Sequence, residues 1–108
     1  EDHVRLGHML DHAREAVAIV AGRSRADLDA DRVLNLALVR LIEIVGEAAN
    51  RVPIERQQRH PEIPWRKIIG MRNRIVHDYD EVNFDLLWDT IHEDLPPLIA
   101  QLEAILGR

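Results

Sequence analysis

The sequence predicts an all-α fold: a bundle of four main helices with one short extra helix, as a single domain over residues 1–108. Three observations carry this. Apolar residues recur at three- and four-residue steps in four long stretches, the spacing that lines one face of a helix. The only aromatics are Trp65, Trp88, Tyr79 and Phe84, so the core has to be built from Leu, Ile, Val and Ala. No stretch alternates apolar and polar residues with period two, as a half-buried strand would. A chain of 108 residues suits one domain and can bury roughly two-thirds of its unfolded surface, enough for a real core.

The first helix is expected from about His3 to Ala21, with Leu6, Met9, Leu10, Ala13, Val17 and Val20 as its apolar stripe and Gly22 as its stop. The second is expected from Ala26 or Asp31 to Arg51. Asp27, Asp29 and Asp31 are its candidate caps, because a carboxylate accepts from the free N–H groups of a first turn. Val33, Leu34, Leu36, Leu38, Leu41, Ile42, Ile44 and Val45 cover most of its circumference. Such a helix is either central or lies at a subunit interface. Gly46, Ala48 and Ala49 would let another helix approach closely. Pro53, Pro61 and Pro64 bracket a connector, with a short helix at Ile54–His60. The third helix is expected from Pro64 to near Tyr79, with Pro at a first helical position. The fourth runs from about Asn83 to Leu106, kinked where Pro96-Pro97 removes two N–H donors.

Composition excludes several classes. With no cysteine there is no disulfide scaffold, no thiolate nucleophile and no Cys-zinc site. No signal peptide and no run of 18 apolar residues is seen, so a soluble cytoplasmic protein without membrane association is the default. The net charge of −5 argues against bulk electrostatic capture of nucleic acid. The charge is uneven, however. Arg51, Arg56, Arg59, Arg66, Lys67, Arg72 and Arg74 are clustered, whereas Asp78 to Glu103 holds eight acids and no Lys or Arg. One side of an acidic domain can therefore be positive.

The residues with chemistry lie at the end of the third helical stretch. On a regular wheel Asn73 and His77 are four apart and share a face with Gly70, which costs roughly 1 kcal/mol relative to Ala. Gly70 there would let a ligand or another backbone come close. Arg72 and His77 are five apart, about 140° round the wheel. They converge only if the arginine reaches over, the helix deforms or a second subunit contributes. Imidazole transfers protons near neutral pH, and a guanidinium holds phosphoryl oxygens in a bidentate fork. Together they suit metal-free phosphodiester cleavage, in which a ribose 2′-OH attacks the adjacent phosphorus. The bland alternative is that Arg72 and His77 cap carbonyls or pair with Asp78, Asp80 and Glu81. Glu43 and Glu47, also four apart, are read as partners of Arg40, Arg51 or Arg72 in preference to a pair of working carboxylates. His8 and His12, with His3 nearby, have metal-ligand spacing but no evident third ligand. The acids from Asp78 to Asp94 are read as a solvated face, and His92 as a surface or core-edge residue. No cofactor is expected and no metal.

The string Met71-Arg72-Asn73-Arg74-Ile75-Val76-His77-Asp78-Tyr79 resembles the signature of HEPN ribonucleases: Arg, a polar residue, then His after a short gap. The tyrosine two residues past the histidine, Ile44-Val45-Gly46-Glu47-Ala48-Ala49 and the Ile63-Pro64-Trp65 lead-in resemble the HepT branch in particular. The resemblance implies a HEPN-like bundle and a metal-independent RNase toxin of a toxin–antitoxin pair, with its site at a homodimer cleft. It implies catalytic roles for Arg72 and His77 with Asn73 assisting. It further implies that Tyr79 receives AMP from an MntA-like minimal nucleotidyltransferase, the antitoxin. Arg66 and Arg74 are then candidate RNA-binding residues. A homodimer would gather two copies of His77 and Arg72 around one positive groove. Tyr79 is expected near Arg72 on the wheel, its ring packed on Ile75 and Val76 and its hydroxyl at the cleft rim. The rival readings are a non-catalytic nucleotide- or RNA-binding module, and a helical subunit that binds and regulates a nucleotidyltransferase.

Overall fold

The computed structural model describes residues 2–108, with side chains from His3 onward. Glu1, the first residue of the expected domain, lies outside the described residues. The elements in chain order are α1 (Asp2–Val20), α2 (Arg25–Ala30), α3 (Arg32–Asn50), α4 (Ile54–Gln58), α5 (Trp65–Ile69), α6 (Met71–Ile75), β1 (Val76–His77), β2 (Glu81–Val82), α7 (Phe84–Asp89), a π-helical turn (Thr90–Asp94) and α8 (Leu95–Leu106). The fold is all-α apart from the two-residue ladder, as expected from the sequence.

α1 buries Leu6, Met9, Leu10, Ala13 and Ala16 against α3 and α8. It ends where Gly22 takes a left-handed φ of 78°, a conformation glycine adopts without a Cβ clash. The second expected helix is two helices. Asp31 closes α2 and opens α3, its carboxylate accepting from the Leu34 N–H at 3.0 Å. That hydrogen bond holds the Asp31 carboxyl below its ordinary range, with nearby Arg23 helping. Asn35, buried on α3, donates to the Leu28 carbonyl at 3.0 Å and ties the two helices together.

α3 is the central helix. It packs on α1, α2, α5 and α6, burying Leu34, Leu38, Leu41, Ile42 and Val45. Its outward ridge remains apolar at one end, with Val33 and Leu36 exposed. At Gly46 an added Cβ would lie 3.2 Å from the Ile68 carbonyl oxygen and 3.3 Å from that of Ile69. Glycine there lets α5 sit directly on α3. α5 is anchored at its start by Trp65, whose indole N–H reaches the carbonyls of Gln57 and His60, each at 3.0 Å.

The expected fourth helix is interrupted as its prolines dictate. Pro96 and Pro97 cannot donate to the turn before them. The chain answers with a π-turn in which Leu95 N–H bonds to the Thr90 carbonyl, five residues back. The prolines then occupy the first turn of α8, where no donor is needed. No helix of the described residues is long and apolar enough to cross a membrane.

Candidate active site

The third expected helix departs most from its sequence reading, and the departure shapes the site. It breaks at Gly70 into α5 and α6 and ends at Ile75, not near Tyr79. Gly70 has φ −91° and ψ 0°, which is not helical. Val76 is extended, and the chain turns back through Asp78 at a left-handed φ of 59°. Asp is among the few non-glycine residues that tolerate this region. The returning strand pairs Val76 with Val82 and His77 with Glu81. Asn83 N–H then bonds to the Ile75 carbonyl at 2.8 Å, and its side chain caps α7 through Leu86 N–H at 2.9 Å. Two β-branched residues, Ile75 and Val76, lie where helix gives way to strand, in keeping with their preferences.

Asn73 and His77 are therefore not neighbours on one helical face. Asn73 is on α6 and His77 on the first strand of the hairpin. Tyr79 is likewise in the turn rather than on a helix, and it is 94% exposed. The expected packing of its ring on Ile75 and Val76 is absent; the whole side chain projects into solvent. The turn is tied to the start of α3 by an Arg32–Asp80 contact of 3.4 Å.

Arg72 and Asn73 line a cleft of about 410 Å³ between α3 and the α5–α6 segment, together with Glu43, Gly46, Glu47, Asn50 and Ile69. Arg72 is half-buried; its Nη1 donates to Asn73 Oδ1 at a long 3.4 Å, and its Nε is buried without a partner. A guanidinium so poorly satisfied within its own chain is available to an anionic ligand. His77 is exposed and is not among the residues that line this cleft. Within one chain the structure brings Arg72 and Asn73 together and places His77 beyond them on the hairpin.

The His77 imidazole has carboxylates beside it. Donor atoms of His77, Asp78 and Glu81 lie within 4.8 Å of one another, and these groups could together hold a divalent cation. Arg66 is exposed on α5. Arg74 is exposed too, but one of its nitrogens donates to the Lys67 carbonyl at 2.6 Å, so its guanidinium lies over Gly70. Across the α3 ridge, Arg5, His8, Arg40 and Arg51 line a smaller hollow of about 190 Å³ together with Glu47. Positive charge therefore gathers on α1 and α3 as well as on the motif segment.

Two other histidines are used locally. His12 Nδ1 meets the His8 carbonyl at 2.7 Å, and His92 Nδ1 meets that of Trp88 at 2.8 Å, with the His92 ring stacked on the Trp88 indole. Glu43 pairs with Arg40 at 3.2 Å, one of its expected partners. The sequence reading missed Asn50 as a cleft residue and favoured Glu47 as an ion-pair partner. The signal was present: Glu43, Glu47 and Asn50 are four and three residues apart and share one helix face.

Comparison with known proteins gives this geometry its context. The family described as ribonuclease HepT-like matches residues 9–105. A relative from Caldanaerobacter subterraneus subsp. tengcongensis, provisionally named an RNase, is 39% identical over 103 residues, covering 95% of this chain and 92% of that protein. One from Thermococcus cleftensis, provisionally named ribonuclease HepT, is 34% identical over 100 residues, covering 89% of this chain and 91% of its own. A third, from Methanocaldococcus jannaschii and also provisionally named an RNase, is 25% identical over 97 residues, covering 90% and 89%. No solved structure matches the chain. With the family match spanning nearly the whole all-α bundle, the chain belongs to the HepT-like ribonuclease family.

Proposed function

We propose that this chain is a metal-independent endoribonuclease acting as the toxin of a toxin–antitoxin pair in the cytoplasm. The observation that carries the reading is the open cleft holding Arg72 and Asn73, with an exposed imidazole at His77 on the adjoining hairpin. Arg72 binds the scissile phosphate and stabilises the charge that grows on its oxygens, and Asn73 adds an amide donor. One imidazole takes the proton from the ribose 2′-OH as the 2′-oxygen bonds to phosphorus. As the bond to the 5′-oxygen breaks, a second proton goes to that leaving group.

A homodimer completes this scheme. Two copies related by a two-fold axis supply one His77 as base and the other as acid. The exposed Val33 and Leu36 on α3 support such an interface, since they lie on the outward ridge of the helix that also walls the cleft. Tyr79 is proposed as the control point. An MntA-like nucleotidyltransferase transfers AMP to its phenol oxygen from a nucleoside triphosphate, releasing pyrophosphate. Full exposure of Tyr79 supports access by a second enzyme. The added phosphodiester would stand near the RNA path: a negative charge about 5 Å from an RNA phosphate costs roughly 3 kcal/mol at an effective dielectric of about 20.

One observation favours a second reading. His77 lies outside the cleft lining of its own chain, as it would in a non-catalytic RNA- or nucleotide-binding subunit that regulates a nucleotidyltransferase. Induced expression of wild type and His77→Ala, each with and without the nucleotidyltransferase, separates the two. The ribonuclease reading expects arrested growth and fragmented RNA only for unpartnered wild type. Equal growth in all four cultures, with intact RNA, favours the second.

A further inference from the structure

The cleft has a wall that phosphate binding does not explain. Of the residues around Arg72, two are carboxylates, Glu43 and Glu47, and a carboxylate repels a phosphodiester. Glu43 is neutralised by Arg40 at 3.2 Å. Glu47 is exposed and Arg72 half-buried, and neither forms an ion pair among the described residues. The two opposite charges line one cleft without closing on each other. The hollow between them, about 410 Å³, is of the size that small-molecule sites have.

A ligand that satisfies both sides brings an acceptor to Arg72 and a donor to Glu47. A nucleotide does this. Its phosphate suits the guanidinium, and its base N–H groups suit the carboxylate. We propose that Glu47 reads the Watson–Crick edge of a nucleobase whose phosphate rests on Arg72, and that the base is guanine. Guanine alone presents two adjacent donors, N1–H and N2–H, to match the two oxygens of one carboxylate. Its O6 beside them takes an N–H from the Asn50 or Asn73 amide. Adenine and cytosine offer one amine next to a ring nitrogen that a carboxylate repels. Uracil offers a single N–H between two acceptors. Ile69 supplies an apolar surface for the face of the base. This site rests on the ribonuclease reading for its substrate and adds to it a base preference.

The test uses the whole protein and four probes, the 3′-monophosphates of guanosine, adenosine, cytidine and uridine, titrated by calorimetry and by amide chemical shifts. Wild type should bind 3′-GMP roughly tenfold or more tighter than the others, the discrimination a bidentate contact to a base provides. Glu47→Gln, a near-isosteric change at an exposed position, should bring 3′-GMP down to the level of the rest. Arg72→Ala should weaken all four alike. Equal binding of the four by wild type, or a guanine preference that survives Glu47→Gln, overturns the proposal. The two readings fail separately. RNA cleavage without guanine preference removes this subsite and leaves the ribonuclease. Guanine preference in a protein that cuts no RNA keeps the subsite and removes the ribonuclease.

Discussion

Gly46 and Ile68 meet where α5 crosses α3 so closely that an added Cβ would lie 3.2 Å from the Ile68 carbonyl oxygen, and the helices would have to part by a few tenths of an ångström. The obstacle is backbone on both sides, so little can yield. Gly46→Val should therefore destabilise the protein by about 1–3 kcal/mol, the range for overpacking. It should also widen the cleft, because Gly46 and Ile69 both line it. Urea unfolding monitored by circular dichroism checks the first effect; an unchanged midpoint would show that α5 is not held by this contact.

Asp31 gives the fold a pH dependence of definite sign. Its carboxyl is held below the ordinary range, chiefly by the Leu34 N–H. A group whose folded value is depressed adds stability above its unfolded value and loses it as pH falls through the folded one. The stability gap between wild type and Asp31→Ala should then be full at neutral pH and shrink in strong acid. Urea midpoints at pH 7 and in strong acid measure it; a gap that widened in acid would reverse the assignment.

Tyr79 is 94% exposed, so Tyr79→Phe should change stability by less than about 0.5 kcal/mol. On the proposed function it should also keep RNase activity and escape silencing by the nucleotidyltransferase. Intact-mass spectrometry after co-expression is decisive. Wild type should gain the mass of one AMP and the variant none; an adduct mapped elsewhere would move the control point.

Much of the fold can be read in the chain. The stripes Leu6, Met9, Leu10, Ala13 and Leu95, Leu98, Leu102 are buried as their spacing predicts. Gly22 and Pro96-Pro97 act where they stand. The hairpin could not be read, because Ile75, Val76 and Tyr79 continue the helical stripe of Ile68 and Arg72. Strands of two residues are too short to show alternation, and the left-handed turn falls on Asp78 rather than on a glycine. Gly70 was visible, but as an open face rather than a break. Glu47 and Asn50 became cleft residues only once α5 was seated on Gly46, a tertiary contact that no local period encodes.

The apolar end of the α3 ridge predicts association. Purified protein should scatter light as a dimer of the 12.4 kDa chain at micromolar concentration. Replacing exposed Val33 and Leu36 with Glu should give a folded monomer, because neither side chain contributes to the core. A wild type that stays monomeric would remove the homodimer, and a dimer unaffected by both changes would place the interface elsewhere.

In the proposed mechanism the imidazole at His77 moves protons during RNA cleavage, supported by Arg72 and independent of metal. The most direct measurement is the rate at which purified wild type and His77→Ala cleave a defined RNA, each with and without EDTA. His77 is exposed, so the variant should fold normally, and its rate should fall roughly 10²- to 10⁴-fold, the usual cost of losing a general acid or base. EDTA should leave the wild-type rate unchanged. A His77→Ala variant that cuts as fast as wild type, or a wild-type activity abolished by EDTA, would rule out this metal-free role for His77.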